Sequence, residues 1–218
     1  MGSFFNMDNG FFSFLGKAFD AVILSTLYLV CCIPIITIGP ATTALYYATV
    51  KGIRRERGYV YREFFKSFRL NFKTGAIAGI LLTVVFAVLI FDILFARSYV
   101  KDNTGGSVMF GIFVAIAFII YCFSLYVFPV LSRFDMKFVQ LMKASLLMSI
   151  KHFPYTLGMA IITAAAIIGV NYMLLLIFIL PVVTTLLNSF LMERVLKKYM
   201  PKSEGPGEET GKDEWYLE

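Results

Sequence analysis

The chain has few of the residues that carry out chemistry. Its 218 residues include one histidine, one tryptophan and three cysteines. His152 has no second histidine at metal-ligand spacing, and Cys31, Cys32 and Cys122 lie inside apolar runs. The sequence also lacks a nucleophile elbow and a dinucleotide-binding glycine pattern. We therefore expect no catalytic residues, no metal site and no cofactor, and we predict that the protein is not an enzyme.

Charge is absent from long stretches of the chain. Residues 75–91 and 108–132 carry no charged side chain, and the composition is 59% apolar against roughly 45–50% for soluble domains. A helix needs roughly 20 apolar residues to cross a bilayer, and a charge in hydrocarbon is costly. The runs predict an all-α fold, a polytopic bundle of transmembrane helices.

Five spans are predicted within a transmembrane helical domain of residues 18–200. Asn171 and Tyr172 separate the last two spans, which predicts a tight helical hairpin there. Residues 1–17 are predicted to form an N-terminal head, and the acidic tail of residues 201–218 is predicted to be disordered. The predicted spans are about residues 18–38, 75–96, 108–131, 154–171 and 173–192.

The charges that are present cluster between the apolar runs. Sixteen of the 20 Lys and Arg residues lie in residues 51–73, 133–151 and 194–202. Basic connectors stay on the cytoplasmic side, so the C-terminus is expected inside and, with five spans, the N-terminus outside. The net charge of +6 suits a bilayer with anionic headgroups, and we expect no nucleic acid partner.

The first span is interrupted by prolines. Pro34 cannot donate a backbone hydrogen bond within a helix, and Gly39–Pro40 breaks the chain again. Residues 40–57 are therefore predicted to form a second helix. It either lies at the inner interface, which we favour, or returns as a short sixth span that would place the N-terminus inside. The candidate functional kink comprises Pro34, Thr37, Gly39, Pro40, Thr42 and Thr43.

Residues 61–73 carry the clearest amphipathic pattern. Five aromatic side chains recur at helical spacing, and four basic side chains flank them. This pattern is typical of a helix lying in the headgroups, with its rings in the acyl boundary. A docking surface for a protein partner is the alternative. The lipid-facing or partner-facing residues are Arg62, Phe65, Lys66, Phe68, Arg69, Phe72 and Lys73.

Two further patterns concern helix contacts. Residues 135–150 predict a second amphipathic helix, which Asp135 could cap. Gly75 and Gly79 lie four residues apart, a spacing that suits close helix packing. Packing within one subunit is favoured there, and a homo-oligomer seam is the alternative. Asp92 is the only acidic residue well inside a predicted span.

Several segments of the chain form a distinctive set. They are residues 33–46, 64–68 and 71–73, the pair Phe128–Pro129, residues 133–135 and Asp20. Together they resemble the YesL family, a domain of unknown function, over roughly residues 10–195. The resemblance implies a small polytopic protein of the bacterial cytoplasmic membrane, of a kind whose genes often lie beside carbohydrate-uptake genes. It carries over no catalytic or ligand-binding residues.

The resemblance and the two amphipathic helices lead to a functional hypothesis. We expect an accessory or regulatory component of carbohydrate uptake, with a carbohydrate-uptake transporter as its partner. The alternative is a small permease for a neutral solute such as a sugar, because sugars need hydrogen bonds and aromatic faces rather than charged ligands. The lack of ionisable groups near the predicted bilayer midplane counts against an ion-coupled transporter.

Overall fold

The computed structural model describes residues 10–100 and 104–199, and within them it contains helices and no strand. Predictions for residues 1–9 and for the acidic tail lie outside the described residues. Short 3-10 helices cover Ile35–Thr37 and Leu174–Phe178, and a π-helix, Thr49–Arg54, continues α2. The α-helices are α1 (Gly10–Cys31), α2 (Ile38–Ala48), α3 (Val60–Leu70), α4 (Phe72–Tyr99), α5 (Thr104–Arg133), α6 (Phe138–Lys151), α7 (Phe153–Tyr172) and α8 (Leu180–Leu196).

Among residues 10–100 and 104–199, three helices are long and apolar enough to cross a membrane. They span Phe72–Tyr99, Gly105–Arg133 and Phe153–Tyr172. Large apolar side chains on their outer faces are exposed, such as Phe91 at 69%, Ile119 at 62% and Ile161 at 62%. A helix that keeps an apolar outer face is suited to hydrocarbon. The all-helical prediction is confirmed, and these helices are compatible with a multi-pass membrane protein.

The first apolar run folds as two helices. The helix predicted from residue 18 begins at Gly10 and ends at Cys31, and α2 begins at Ile38. Pro34 lies between them in an extended conformation, so the kink predicted inside a single helix over residues 18–38 is wrong. Proline disfavours helical backbone at the residue before it. The chain therefore leaves the helix and turns before α2 starts.

Helix α2 lies at the centre of the bundle. It packs against α1, α3, α4, α5 and α8, and eight of its 11 residues are buried. A helix lying on a lipid surface would expose one face, whereas the surroundings of α2 are mainly protein. The prediction that residues 40–57 lie along the interface does not describe this packing.

Helices α1 and α2 form a hairpin. They contact each other, and Leu24 of α1 and Leu45 of α2 share a core with Phe64 of α3. Near the start of α1, Lys17 forms an ion pair with Glu56, which follows the end of the π-helix. The chain therefore runs along α1 and returns along α2 to the same end of the bundle.

The predicted glycine contact is made between α2 and α4. A side chain at Gly39 would collide with the backbone carbonyl of Gly75, and one at Gly79 would lie 2.7 Å from the backbone nitrogen of Gly39. Two backbones approach this closely only where side chains are absent. The contact lies within one subunit, which was the favoured interpretation of the Gly75–Gly79 spacing.

Two other boundaries differ from the predictions. Helix α6 begins at Phe138 with Lys137 at its N-cap position, where the Lys137 N–H donates to Gln140 Oε1 at 3.4 Å. Asp135 lies two residues before this position, so the predicted N-cap residue is wrong. Helix α7 ends at Tyr172, but residues 174–178 form a 3-10 helix before α8 starts at Leu180. The tight hairpin predicted at Asn171–Tyr172 is therefore a longer connection.

Candidate functional site

A buried ion pair joins the C-terminal ends of α5 and α8. Arg133 Nη2 donates to Glu193 Oε1 at 2.5 Å, and the two side chains are 1% and 5% exposed. The Tyr46 hydroxyl of α2 donates to the same carboxylate oxygen at 3.0 Å. Removing charges from water is costly, so such a pair needs further hydrogen bonds. Tyr46 supplies one and ties α2 to both helices.

The π-helix adds two more polar contacts at this end of the bundle. Lys51 Nζ lies 3.0 Å from Glu63 Oε2 of α3, and both side chains are largely buried. Arg54 donates to the Ser189 carbonyl of α8 at 3.1 Å and stacks over the Phe190 ring at 4.2 Å. We call Tyr46, Lys51, Glu63, Arg133 and Glu193 the polar cluster. It links α2, α3, α5 and α8.

Sequence reasoning missed this cluster. Glu193 lies just past the predicted end of the last span and just before Arg194, and the sequence pattern gave it no role. A signal was nevertheless present, because Val182, Ser189, Glu193 and Leu196 recur at helical spacing. All four are buried on α8. The periodicity places Glu193 on the inward face of its helix.

Helix α3 divides its aromatic side chains between two faces. Phe64 is fully buried, and Phe68 stacks on it with ring centroids 6.1 Å apart while packing against the core. Tyr61 and Phe65 are exposed, as is Phe72 at the start of α4. Phe68 therefore does not belong to the predicted lipid-facing or partner-facing surface. Phe64 does not face lipid either. The inward rings fix α3 to the α1–α2 hairpin.

The outward face of α3 forms a shallow groove that mixes rings and cations. The Arg62 guanidinium lies 5.3 Å from the ring centroid of Tyr59 and 5.8 Å from that of Tyr61. We call this groove the α3 surface. Its described lining residues are Tyr61, Arg62, Phe65, Lys66, Arg69 and Leu70. Lys73 is exposed one turn further along, on α4.

The candidate kink residues take separate structural roles. The Thr37 hydroxyl bonds to the Cys31 carbonyl at 2.6 Å and the Pro34 carbonyl at 2.7 Å, which closes the junction. Gly39 makes the contact with α4, and Pro40 is buried beside it. The hydroxyls of Thr42 and Thr43 donate to carbonyls four residues earlier, those of Ile38 and Gly39.

A cavity of about 390 Å³ lies between α1, α2, α5, α7 and α8. Apolar side chains make most of its wall, including Phe128, Met159 and Met192. Thr42 and Tyr46 of the α2 helix also line it, so the cavity lies directly beside the polar cluster. Pockets of this size accept small molecules.

His152 joins α6 to α7 and lies within 3.3 Å of the Tyr199 hydroxyl. Partial burial, together with the positive charges of Lys198 and Lys151, lowers the pKa of the His152 ring. No group of three potential metal-ligating side chains was found among residues 10–100 and 104–199.

Part of the chain matches a known family model. A family model described as a protein of unknown function, DUF624, matches residues 21–93. The chain is similar to that family over most of the α1–α2 hairpin, α3 and the greater part of α4. No curated protein matches the chain, and no solved structure matches it. The matched region contains the Gly39, Gly75 and Gly79 contact and the α3 surface.

Proposed function

We propose that this chain is a YesL-type protein of the bacterial cytoplasmic membrane that acts as an accessory or regulatory component of a carbohydrate-uptake system. In this proposal it has no catalytic activity of its own. The match to a family of unknown function over residues 21–93 is consistent with YesL membership.

The observation that carries the proposal is the α3 surface. Its inner side is fixed to the hairpin by Phe64 and Phe68, while Tyr61 and Phe65 remain 44% and 41% exposed beside Arg62 and Arg69. A rigid helix that presents rings next to cations is suited to the headgroup layer. It is equally suited to a partner with acidic side chains, because aromatic and arginine residues are enriched at protein interfaces.

Orientation is part of the proposal. Basic segments belong on the cytoplasmic side, which places the polar cluster, the α3 surface and the C-terminal end of α8 there. Five spans with the N-terminus outside was the favoured arrangement from sequence. The Lys17–Glu56 ion pair and the α1–α2 hairpin support the alternative, in which α2 returns toward the cytoplasm and residue 17 lies inside.

Affinity purification from native membranes tests the docking role. We would replace Arg62, Lys66 and Arg69 with glutamine and grow cells on inducing sugars. We expect the wild-type protein to retain a carbohydrate-uptake transporter subunit, identified by mass spectrometry, and the α3 variant to lose it. A matched variant with Lys137, Lys143 and Lys151 of the α6 region replaced by glutamine should retain the subunit. Recovery of no transporter subunit with the wild-type protein would contradict the proposal.

A permease for a neutral solute is the second candidate, and the cavity is the observation that favours it. The cavity lies between helices of the bundle, and its described lining residues are uncharged. Purified protein in liposomes should then carry labelled sugars faster than empty vesicles. Equal rates across a panel of monosaccharides and disaccharides would exclude this candidate for those sugars.

A further inference from the structure

Five of the hydroxyls that line the cavity donate their protons within the protein. Among the hydroxyls that line it, those of Thr42, Thr163 and Thr185 donate to backbone carbonyls four residues earlier, at 2.7–2.9 Å. The Ser124 hydroxyl donates to the Tyr121 carbonyl, and that of Tyr46 donates to Glu193. Tyr28 and Thr184 also line the cavity, but the protons of these five hydroxyls are already used within the protein. Oxygen lone pairs are what these groups can offer to a molecule in the cavity.

Asn188 adds an acceptor with no partner. Its side-chain nitrogen donates to Thr163 Oγ1 at 3.0 Å, which fixes the amide. Its Oδ1 is buried and has no hydrogen-bond partner among the residues that the structure describes. A buried polar atom without a partner is costly. A ligand that donates a hydrogen bond to Oδ1 would remove that cost.

The rest of the lining restricts the ligand further. None of the described residues that line the cavity is charged. These residues therefore provide no charged side chain that could form an ion pair with an anion or a cation. The acceptor oxygens would also repel an anion. Phe128, Met159, Ile167 and Leu180 supply apolar wall, which favours a molecule with a compact apolar body.

We infer that this cavity is a binding site for a small uncharged molecule with an apolar ring or short chain and at least one hydroxyl donor. The donor bonds to Asn188 Oδ1 beside Thr163, and the apolar body fills the space between α5, α7 and α8. Binding here requires neither transport nor docking at the α3 surface. Loss of either of those functions would therefore leave this inference standing.

Fluorine NMR of the full protein in lipid nanodiscs tests the site, with 4-fluorophenol as the probe and empty nanodiscs as the partition control. We expect saturable binding of 4-fluorophenol to the wild-type protein. Binding of 4-fluoroanisole, which keeps the ring but cannot donate, should be about tenfold weaker, the size of one hydrogen bond. Equal binding of the two probes, or no saturable binding of 4-fluorophenol, would overturn the inference.

Variants locate the site. Asn188→Leu should weaken 4-fluorophenol binding about tenfold, whereas Asn171→Leu, on an exposed asparagine outside the cavity, should not change it. Ala166→Phe should fill the cavity and abolish binding, with Ala164→Phe on the exposed side of α7 as its control. If Ala166→Phe fails to fold, the comparison of 4-fluorophenol with 4-fluoroanisole on the wild-type protein still tests the proposed site. Full binding by a folded Asn188→Leu protein would contradict the proposed site.

Discussion

At the scale of single residues, Gly39 shows how strictly one backbone contact depends on the absence of a side chain. We predict that Gly39→Ala will destabilise the protein by about 1–3 kcal/mol, the usual cost of overpacking, because its Cβ would meet the Gly75 carbonyl. Gly111→Ala is the matched control, since nothing lies within 4 Å of its Cβ position. Thermal unfolding in detergent measures both. A Gly39→Ala protein as stable as the control would refute this contact.

The Arg133–Glu193 pair gives a second prediction at this scale. Removing one member of a buried pair leaves an uncompensated charge and costs about 3–5 kcal/mol. We therefore expect Arg133→Met and Glu193→Leu each to be strongly destabilising, and the double variant to be less destabilised than either. Denaturant unfolding of all three measures the coupling. Simple additivity would show that the two side chains act independently.

An exposed pair provides the control for that experiment. Lys17 and Glu56 have side chains 44% and 64% exposed. Exposed ion pairs contribute at most about 1 kcal/mol. Lys17→Met should therefore change stability far less than either substitution in the buried pair.

At the scale of elements, the α1–α2 junction is held by one hydroxyl. Thr37→Val should lower stability by about 1 kcal/mol, the net value of a hydrogen bond, because the Cys31 and Pro34 carbonyls lose their bond from Thr37 Oγ1. Thr37→Ser keeps the hydroxyl and should retain most of the wild-type stability. Thr26→Val is the control, since the Thr26 hydroxyl bonds to Val22 within α1. Equal unfolding midpoints for Thr37→Val and Thr26→Val would contradict this role.

The elements also show what the sequence could predict. Long uncharged runs predicted α4, α5 and α7, because hydrophobic length is a local property of the chain. Pro34 and Pro40 predicted that the first helix is interrupted, but they did not predict the hairpin. The course of the chain after a proline depends on what α2 packs against. The inward position of Phe68 depends on α1 and α2 and was read wrongly from spacing alone. Glu193 was missed because its partner, Arg133, lies 60 residues away in the chain.

At the scale of the whole molecule, Tyr46 belongs to the polar cluster and also lines the cavity. Its hydroxyl bonds to the ion pair that joins α5 to α8. The same residue therefore contacts both the candidate ligand space and the ion pair that holds the C-terminal ends of these two helices together.

Topology is the property on which these proposals jointly depend. In a background with Cys31, Cys32 and Cys122 replaced by alanine, we would introduce single cysteines at Ser13, Ser98 and Lys197 and label intact cells with a membrane-impermeant maleimide. If α1 and α2 form a hairpin that opens toward the cytoplasm, as the Lys17–Glu56 ion pair indicates, only the cysteine at position 98 should react before lysis. The cysteines at positions 13 and 197 should react after lysis. Labelling of position 13 from outside would instead support the five-span arrangement. It would also contradict the ion pair between Lys17 and Glu56, because two side chains in direct contact cannot lie on opposite sides of a hydrocarbon core about 30 Å thick.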